Sequence, residues 1–262
     1  MKKILVVLLA LVLALAMVAC GDNGDAKDTD TEAVSDTAAD TAEDTAADTA
    51  ADTEDVADVT VMSYAEYAAA EIDAPVVIEA YVQEKQSWWD NKATIYTQDQ
   101  DGAYFIYEMV CSEEDYAKLV PGTKIRVSGY KADFQGEIEL ASGATFEFID
   151  GADTYVAEPV DLTAVLGTEE LINYQNQLAS FKGMTVEAVE FKYGEPGVVI
   201  YVTLGLNGAS YSFCVEFYLT GTDTEVYQTV SALEVGDVVD VEGFVYWYQG
   251  VNPHITAVTV AE

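Results

Sequence analysis

The chain has 262 residues, with 47 acidic against 11 basic side chains and a formal net charge of -36. This balance excludes a general basic surface for the phosphates of nucleic acid or anionic lipid. One histidine and three cysteines are too few for a zinc site or for most histidine-dependent hydrolytic relays, so we expect no metal, no cofactor and no enzymatic activity.

Residues 1–19 have the pattern of an export signal. Two lysines precede an apolar run from Ile4 to Ala19, which is short for a membrane span. The run ends in Met17-Val18-Ala19-Cys20-Gly21, which resembles the lipobox of bacterial lipoproteins, although its first position is not the usual leucine. The resemblance implies a lipid on Cys20 that anchors the protein at the extracytoplasmic face of the bacterial cell membrane. Ordinary signal cleavage, with Cys20 a free thiol, is the alternative.

Residues 20–58 change composition completely. After Cys20 they contain 14 acidic residues, one lysine and no aromatic residue. Such a segment cannot bury a core. We therefore predict a disordered acidic Asp/Thr/Ala linker that separates the lipidated cysteine from a folded body.

The remaining chain repeats itself. Six positions recur at a constant offset of 114 residues, from Leu119, Gly122, Ile125, Val127, Gly129 and Tyr130 to Leu233, Gly236, Val239, Val241, Gly243 and Phe244. The same offset places Phe134-Gln135-Gly136 on Tyr248-Gln249-Gly250. A shared register of this length indicates a duplication. We predict two domains, residues 59–160 and residues 161–262.

Each copy has mostly the periodicity of strands. In chain order, the predicted elements of the first copy are a short helix at 63–71, strands at 77–82, 93–98 and 104–110, a helix at 112–118 and a strand at 124–132 before a last strand. Those of the second are a helix at 169–179, strands at 185–191, 199–204 and 211–218, a helix at 223–233 and a strand at 238–248 before a last strand. Asp101-Gly102 and Asn207-Gly208 are hairpin turn signals.

Three strands, a helix and two strands make up the order of the OB-fold, in which the helix closes the barrel between strands three and four. The phrase from Leu119 to Tyr130, repeated from Leu233 to Phe244, resembles the start of the fourth strand in many OB domains. With the lipobox and the acidic linker, the chain resembles bacterial lipoproteins with tandem OB-fold-like domains. We therefore predict a mainly β protein with two tandem five-stranded OB-fold-like barrels. A plain β-sandwich is the alternative architecture.

Aromatic residues are the candidates for a ligand site. OB-folds bind ligands on the face of strands two and three and in the loops that join strands one to two and four to five. Aromatic rings at such places stack on sugars, bases or peptide side chains. The candidate ligand-binding residues are Trp88, Trp89, Tyr130, Phe134, Tyr246, Trp247, Tyr248, Asn252 and His254. The alternative is that these aromatic residues pack the barrels or the contact between the two domains.

The favoured function is a non-catalytic binding module at the membrane surface, with a glycan, peptide or protein ligand. A structural component of an envelope assembly is the first alternative. Single-stranded nucleic-acid binding by the first domain, through Lys118, Lys124, Arg126 and Lys131, is the second. Because the chain is so acidic, we do not expect nucleic acid as a partner. Cys111 and Cys214 are predicted to be buried free thiols.

Overall fold

The computed structural model describes residues 60–192 and 199–261. The predicted signal peptide, Cys20 and the acidic linker lie outside the described residues. Twelve strands and a few short helices make up the described part of the chain, which confirms the mainly β fold class. No helix in this part is long and apolar enough to cross a bilayer.

The predicted elements occur in the predicted order, together with short elements that were not predicted, among them a strand at 160–161 and a helix at 217–220. The first half contains α1 (Tyr64–Ala69), β1 (Pro75–Lys85), β2 (Lys92–Gln98), β3 (Ala103–Val110), α2 (Glu113–Lys118), β4 (Lys124–Phe134), β5 (Glu137–Leu140) and β6 (Thr145–Phe148). The second contains β7 (Val160–Asp161), a 3-10 helix (Glu169–Tyr174), β8 (Leu178–Lys192), β9 (Val199–Leu206), β10 (Ala209–Val215), α3 (Phe217–Thr220), α4 (Glu225–Ser231), β11 (Val238–Phe244) and β12 (His254–Val260).

The first sheet closes on itself. Its strands follow the order β1-β2-β3-β5-β4, and β4 pairs in turn with β1. The pairing of β3 with β5 is parallel, whereas the other pairings around the ring are antiparallel. The α2 helix connects β3 to β4. This half is therefore a closed five-stranded OB-fold-like barrel, not a sandwich. We call β1–β5 the first barrel.

The second sheet pairs its strands in the corresponding order. The strands run β8-β9-β10-β12-β11, and β11 pairs with β8. The pairing of β10 with β12 is parallel. We call β8–β12 the second barrel. The short strand β7 adds to its edge beside β8. The predicted domain boundary, and a duplication as the origin of the two sheets, stay predictions.

Each barrel has its own apolar core, built from the inward-facing residues that alternate with outward-facing ones along its strands. The hairpin prediction is confirmed at Asn207-Gly208, where both residues have positive φ angles of 53° and 83°, as in the favoured two-residue turns. In the first hairpin the carboxylate of Asp99 accepts hydrogen bonds from the amides of Asp101 and Gly102, at 2.7 and 2.8 Å.

Several predicted elements are wrong in extent. The strand predicted at 185–191 already begins at Leu178, and the strand predicted at 211–218 ends at Val215. The strand predicted at 238–248 ends at Phe244, because the following residues leave the ladder and turn toward the first barrel. The helix predicted at 169–179 is a 3-10 helix that ends at Tyr174, because β8 already begins at Leu178. The last two differences lie where the two barrels meet, and a single-strand periodicity does not report such contacts.

Candidate functional site

The two barrels meet through an aromatic cluster. Tyr96 of β2 stacks on Phe244 of β11, with ring centroids 4.1 Å apart and an interplanar angle of 6°. Phe105 of β3 meets Tyr246 edge to face at 5.3 Å. Tyr96, Phe105 and Phe244 form a third buried apolar cluster, separate from the two barrel cores. We call these four residues, with His254, the aromatic contact.

Strand alternation places these rings outside their own barrel. Ile95 and Ile106 belong to the first core, whereas Tyr96 and Phe105 belong to the aromatic contact. Successive side chains of a strand point to opposite faces, so the two aromatic rings lie on the outer surface of the β2–β3 hairpin. This surface is the one through which OB-folds commonly bind ligands. Here the second barrel covers it.

His254 is part of this covered surface. Its ring stacks on Tyr246 at 4.2 Å, and its Nδ1 lies 2.7 Å from the hydroxyl of Tyr96, a hydrogen bond between the barrels. Burial lowers the pKa of His254 to about 3, because a charged imidazole would lose its hydration. The imidazole is therefore neutral at physiological pH.

A polar seam continues the contact along β5. The carboxylate of Glu137 accepts hydrogen bonds from the Trp247 amide at 2.9 Å and from Gln175 Nε2 at 3.2 Å. Asn176 Nδ2 donates to the carbonyl of Ile138 at 3.1 Å. These three partners belong to the second half of the chain, so Glu137 and its neighbours hold it against the first barrel.

The two repeat-equivalent turns meet at the end of this seam. We call Phe134-Gln135-Gly136 and Tyr248-Gln249-Gly250 the paired turns. Gln249 donates its amide to the carbonyl of Gln135 at 2.8 Å, and their side chains pair at 3.2 Å. The φ angles of Gln135 and Gln249 are 57° and 56°. The two turns therefore share their backbone geometry at these positions and touch each other.

The paired turns present two aromatic rings to solvent. Phe134 and Tyr248 are 51% and 47% exposed, and their ring centroids are 6.0 Å apart at 36°. The Asp133 carboxylate accepts the Gly136 amide at 2.8 Å and fixes the first turn. Gly136 has a φ of 98°, which favours glycine. The arrangement is a pair of half-exposed aromatic rings on two turns that hydrogen-bond to each other.

The tryptophan loop of the first barrel is split between two environments. Trp88 is half-buried and its Nε1 donates to the carbonyl of Cys111 at 2.9 Å. Trp89 is 62% exposed. Trp88 therefore anchors the loop, and Trp89 is the tryptophan of the loop that solvent reaches.

The other predicted site residues lie under cover. Tyr130 is half-buried on β4, opposite Pro75 of β1. Trp247 packs partly against the second core. Asn252 is buried, and its amide donates to the carbonyl of Tyr246 at 2.8 Å. Of the nine candidates, the structure exposes Trp89, Phe134 and Tyr248 and brings the last two together. Their role in ligand binding stays a prediction.

The cations named for nucleic-acid binding are engaged within the first domain. Lys124 and Arg126 pair with Glu79, and Arg126 also pairs with Glu147. Lys118 pairs with Glu114 and Asp115 of its own helix. The ammonium of Lys131 is buried against α1.

Residues 60–192 and 199–261 offer neither a cluster of metal ligands nor an exposed cysteine. No group of three or more histidine, cysteine or acidic side chains stands ready for a metal ion in those ranges. Cys111 and Cys214 are free and buried, as predicted. Burial raises the pKa of Cys111 to about 11, so its thiol remains protonated at neutral pH.

Sequence reasoning missed three of the five residues of the aromatic contact, Tyr96, Phe105 and Phe244. Glu137 of the polar seam was not among the candidates either. A signal was present, because Tyr96 and Phe105 alternate with the core residues Ile95 and Ile106 and an outward aromatic pair needs a cover. The sequence does not say which surface supplies that cover.

No protein-family model matches the chain, and no curated protein matches it. Solved structures do. Asparaginyl-tRNA synthetase from Pyrococcus horikoshii, crystallised with asparaginyl-adenylate, is 18% identical over 33% of this chain and 19% of that chain, with a TM-score of 0.27. This chain thus spans about a fifth of the synthetase. The p204 HINb domain is 11% identical over 72% of this chain and 98% of its own, with a TM-score of 0.32.

A murine DNA-binding protein bound to double-stranded DNA is 10% identical over 72% of this chain and 95% of its own, with a TM-score of 0.34. This finding corrects one prediction. From charge we did not expect nucleic acid as a partner, and a DNA-bound structural neighbour stands against that expectation. Likenesses this distant transfer no binding role. Nucleic acid is therefore one ligand class to be tested.

Proposed function

We propose that the protein is a membrane-anchored extracytoplasmic lipoprotein of two OB-fold-like domains that acts as a non-catalytic binding module. Its ligand surface is the paired turns, where Phe134 and Tyr248 stack on a ring or an apolar side chain. The ligand is a glycan, a peptide or a protein. The lipobox-like sequence around Cys20 and the acidic spacer support display of this surface at a distance from the membrane.

The observation that carries the proposal is the meeting of the paired turns. The outer face of the β2–β3 hairpin, a common ligand face of OB-folds, is buried by the second barrel. The loops between strands four and five of both barrels remain at the surface, and each contributes one half-exposed ring. Two rings held by a fixed backbone lose little conformational entropy when a ligand arrives.

The surroundings favour a neutral or cationic ligand. The chain carries a formal net charge of -36, and Asp133 lies beside the first turn. The aromatic faces of Phe134 and Tyr248 attract the cation of a basic peptide or the C–H groups of a sugar ring.

The test is a binding screen of the full chain against neutral glycans, basic peptides and single- and double-stranded DNA. Phe134→Ala and Tyr248→Ala should each weaken a hit by about tenfold to a hundredfold, the usual cost of an aromatic anchor. Tyr218→Ala is the matched control, because Tyr218 is also an exposed tyrosine but lies on α3, outside the paired turns. It should leave affinity unchanged.

Two outcomes would contradict the proposal. A hit that both turn variants bind normally places the site elsewhere, with Trp89 the next candidate. If no ligand of any class binds, the envelope-assembly alternative becomes the preferred function. In that alternative the paired turns contact a partner protein. A DNA hit that requires the turns would keep the site and establish nucleic acid as the ligand.

The anchor is tested separately. Cys20→Ala should release the protein from the membrane fraction, because one thioether-linked lipid is the proposed attachment. Unchanged membrane retention would defeat the lipoprotein assignment and leave the binding surface unaffected.

A further inference from the structure

Glu137 is a carboxyl group sealed where the two barrels meet. Its residue has 0% exposure. One oxygen, Oε2, accepts both the Trp247 amide and the Gln175 side chain. Because Glu137 belongs to β5 and both donors belong to the second half of the chain, this single oxygen ties two segments of the second half to the first barrel.

The other carboxyl oxygen has no donor. Oε1 of Glu137 and Oδ1 of Asn176 are both buried without a hydrogen-bond partner among the described residues. The Asn176 side chain lies within hydrogen-bonding range of the Glu137 carboxyl, where it favours the charged form, as the Trp247 and Gln175 donors do, but burial outweighs these three contributions. Its amide cannot turn around without loss, because Nδ2 donates to the carbonyl of Ile138 and a flipped amide would place two oxygens together. A proton on the carboxyl would supply the missing donor.

No cation compensates an ionised Glu137. Within residues 60–192 and 199–261, no lysine or arginine forms an ion pair with this carboxyl. The titratable groups that face it are Glu139 of its own strand, Tyr67 of α1, Tyr96 of β2 and Tyr246 of the second barrel, with His254 stacked behind Tyr246. Burial raises the pKa of Glu137 to about 8, since its charged form would be desolvated there.

We propose that a proton on Glu137 is a latch, which holds the segments around Trp247 and Asn176 against the first barrel and holds them less tightly as the pH rises toward mildly alkaline values. The latch does not depend on any ligand of the paired turns. It does set their position, because Glu137 directly follows Gly136 and Trp247 directly precedes Tyr248.

The direction of the effect follows from linkage. The pKa of Glu137 in the docked state, about 8, is above its ordinary value of 4.5. Docking therefore has this group's full contribution below pH 4.5 and loses it progressively as the pH rises from 4.5 to 8. His254 opposes docking only below its ordinary pKa of 6.5. Between pH 6.5 and 8, the buried carboxyls are the groups of this contact that change.

Glu139 titrates in the same pH range. Its burial, and to a lesser degree the negative charges of Asp133 and Glu108, raise its pKa to about 8 as well. Each carboxyl that ionises on undocking weakens docking by about tenfold per pH unit. A variant that cannot ionise at position 137 should therefore lose one such factor and retain the share of Glu139.

The experiment is hydrogen exchange on the full chain between pH 6.5 and 8, corrected for the intrinsic pH dependence of exchange. The reporters are the amides of Trp247, Gln249 and Leu178, which donate across the contact. The references are the amides of Val82 and Val186, which donate within one barrel. Glu137→Gln keeps a donor and cannot ionise. Glu147→Gln removes an exposed carboxylate of the first domain and is the matched control.

Reporter protection in the wild type should fall more steeply with pH than in Glu137→Gln, by about tenfold per pH unit. The references should hold, and Glu147→Gln should behave as wild type. Equal slopes in the wild type and Glu137→Gln would overturn the latch, and so would a parallel loss at the references. If Glu137→Gln does not fold, nuclear magnetic resonance of the wild type replaces it, and the titration of the Glu137 carboxyl carbon is followed with pH. A midpoint near 8 is expected, and one at the ordinary value of 4.5 or below overturns the proposal.

Discussion

The outer surface of the β2–β3 hairpin and the outer surface of the β9–β10 hairpin occupy corresponding places in the two barrels and carry opposite chemistry. In the first barrel the opposed outward pair is Tyr96 and Phe105, and both residues are buried. In the second, the opposed pair is Thr203 and Ser212, and Ser212 is exposed. The Tyr96–Phe105 pair is apolar and is buried under the second barrel. The Thr203–Ser212 pair is polar, and solvent reaches Ser212.

The difference shows how two barrels of one topology can take different roles. An outward aromatic pair costs free energy in water and gains it only under a partner. The outer surface of the β2–β3 hairpin of the first barrel is covered by the second barrel. A ligand surface of the first barrel must therefore lie elsewhere. The second barrel contributes β11 and β12 to the contact, and the Thr203–Ser212 pair of its own hairpin stays at least partly exposed.

The largest expected effect comes from making the first hairpin resemble the second. Tyr96→Thr combined with Phe105→Ser removes both buried rings. The free energy of unfolding should fall by about 5 kcal/mol, since each buried aromatic side chain is worth roughly 3–5 kcal/mol and neighbours are not additive. Guanidinium unfolding measures the loss, and small-angle scattering should show a larger radius of gyration. A loss under about 1 kcal/mol with unchanged scattering would mean that the aromatic contact does not hold the barrels.

The second prediction concerns acid. The pKa of His254 is lowered to about 3 from its ordinary 6.5, so the buried neutral imidazole contributes stability above pH 6.5 that is lost as the pH falls. His254→Gln lacks this titration and can still accept from Tyr96. The stability of the wild type relative to His254→Gln should therefore fall by about 2 kcal/mol from pH 6.5 to 4.5. Parallel stability curves over this range would show that His254 does not titrate on unfolding.

A third contrast is between Lys131, within β4, and its repeat counterpart Val245, directly after β11. Lys131 corresponds to Val245 at the offset of 114, and both are buried. The Lys131 ammonium donates to the carbonyls of Tyr67, Ala68 and Ala70 at 3.0, 2.9 and 2.8 Å. It thus caps the end of α1, whereas the described residues directly before β8 form a 3-10 helix, Glu169–Tyr174, and not an α-helix.

Lys131→Met should therefore lower stability by about 2 kcal/mol, the usual cost of charge-assisted hydrogen bonds to buried partners. Lys182→Met is the control, because Lys182 is an exposed lysine with a single surface ion pair, and it should leave stability nearly unchanged. Denaturant unfolding of both variants measures the difference. Equal effects would mean that the cap contributes nothing beyond an ordinary surface charge.

The fold could be predicted because it depends on local signals. Strand alternation, the Asn207-Gly208 turn and the repeat register each specify an element or its equivalent in the other copy. The contact could not, because it joins residues far apart in sequence. Nothing near Tyr96 indicates that Phe244 covers it, and nothing near Glu137 indicates that the Trp247 amide reaches it. The match between the two Gln-Gly turns was visible in the sequence, but their meeting is a property of the assembled barrels.

The smallest effect is expected from the reverse exchange, Thr203→Tyr with Ser212→Phe. The new rings lie opposite each other on an open surface, where a cross-strand aromatic pair changes stability by less than about 1 kcal/mol. Because no barrel covers them, they should create an apolar patch that promotes self-association, measured by sedimentation velocity over a range of concentrations. A loss of several kcal/mol, without association, would mean that this surface is also covered in the folded protein. The two hairpins would then differ only in residue type, and the contrast in exposure on which their separate roles depend would be lost.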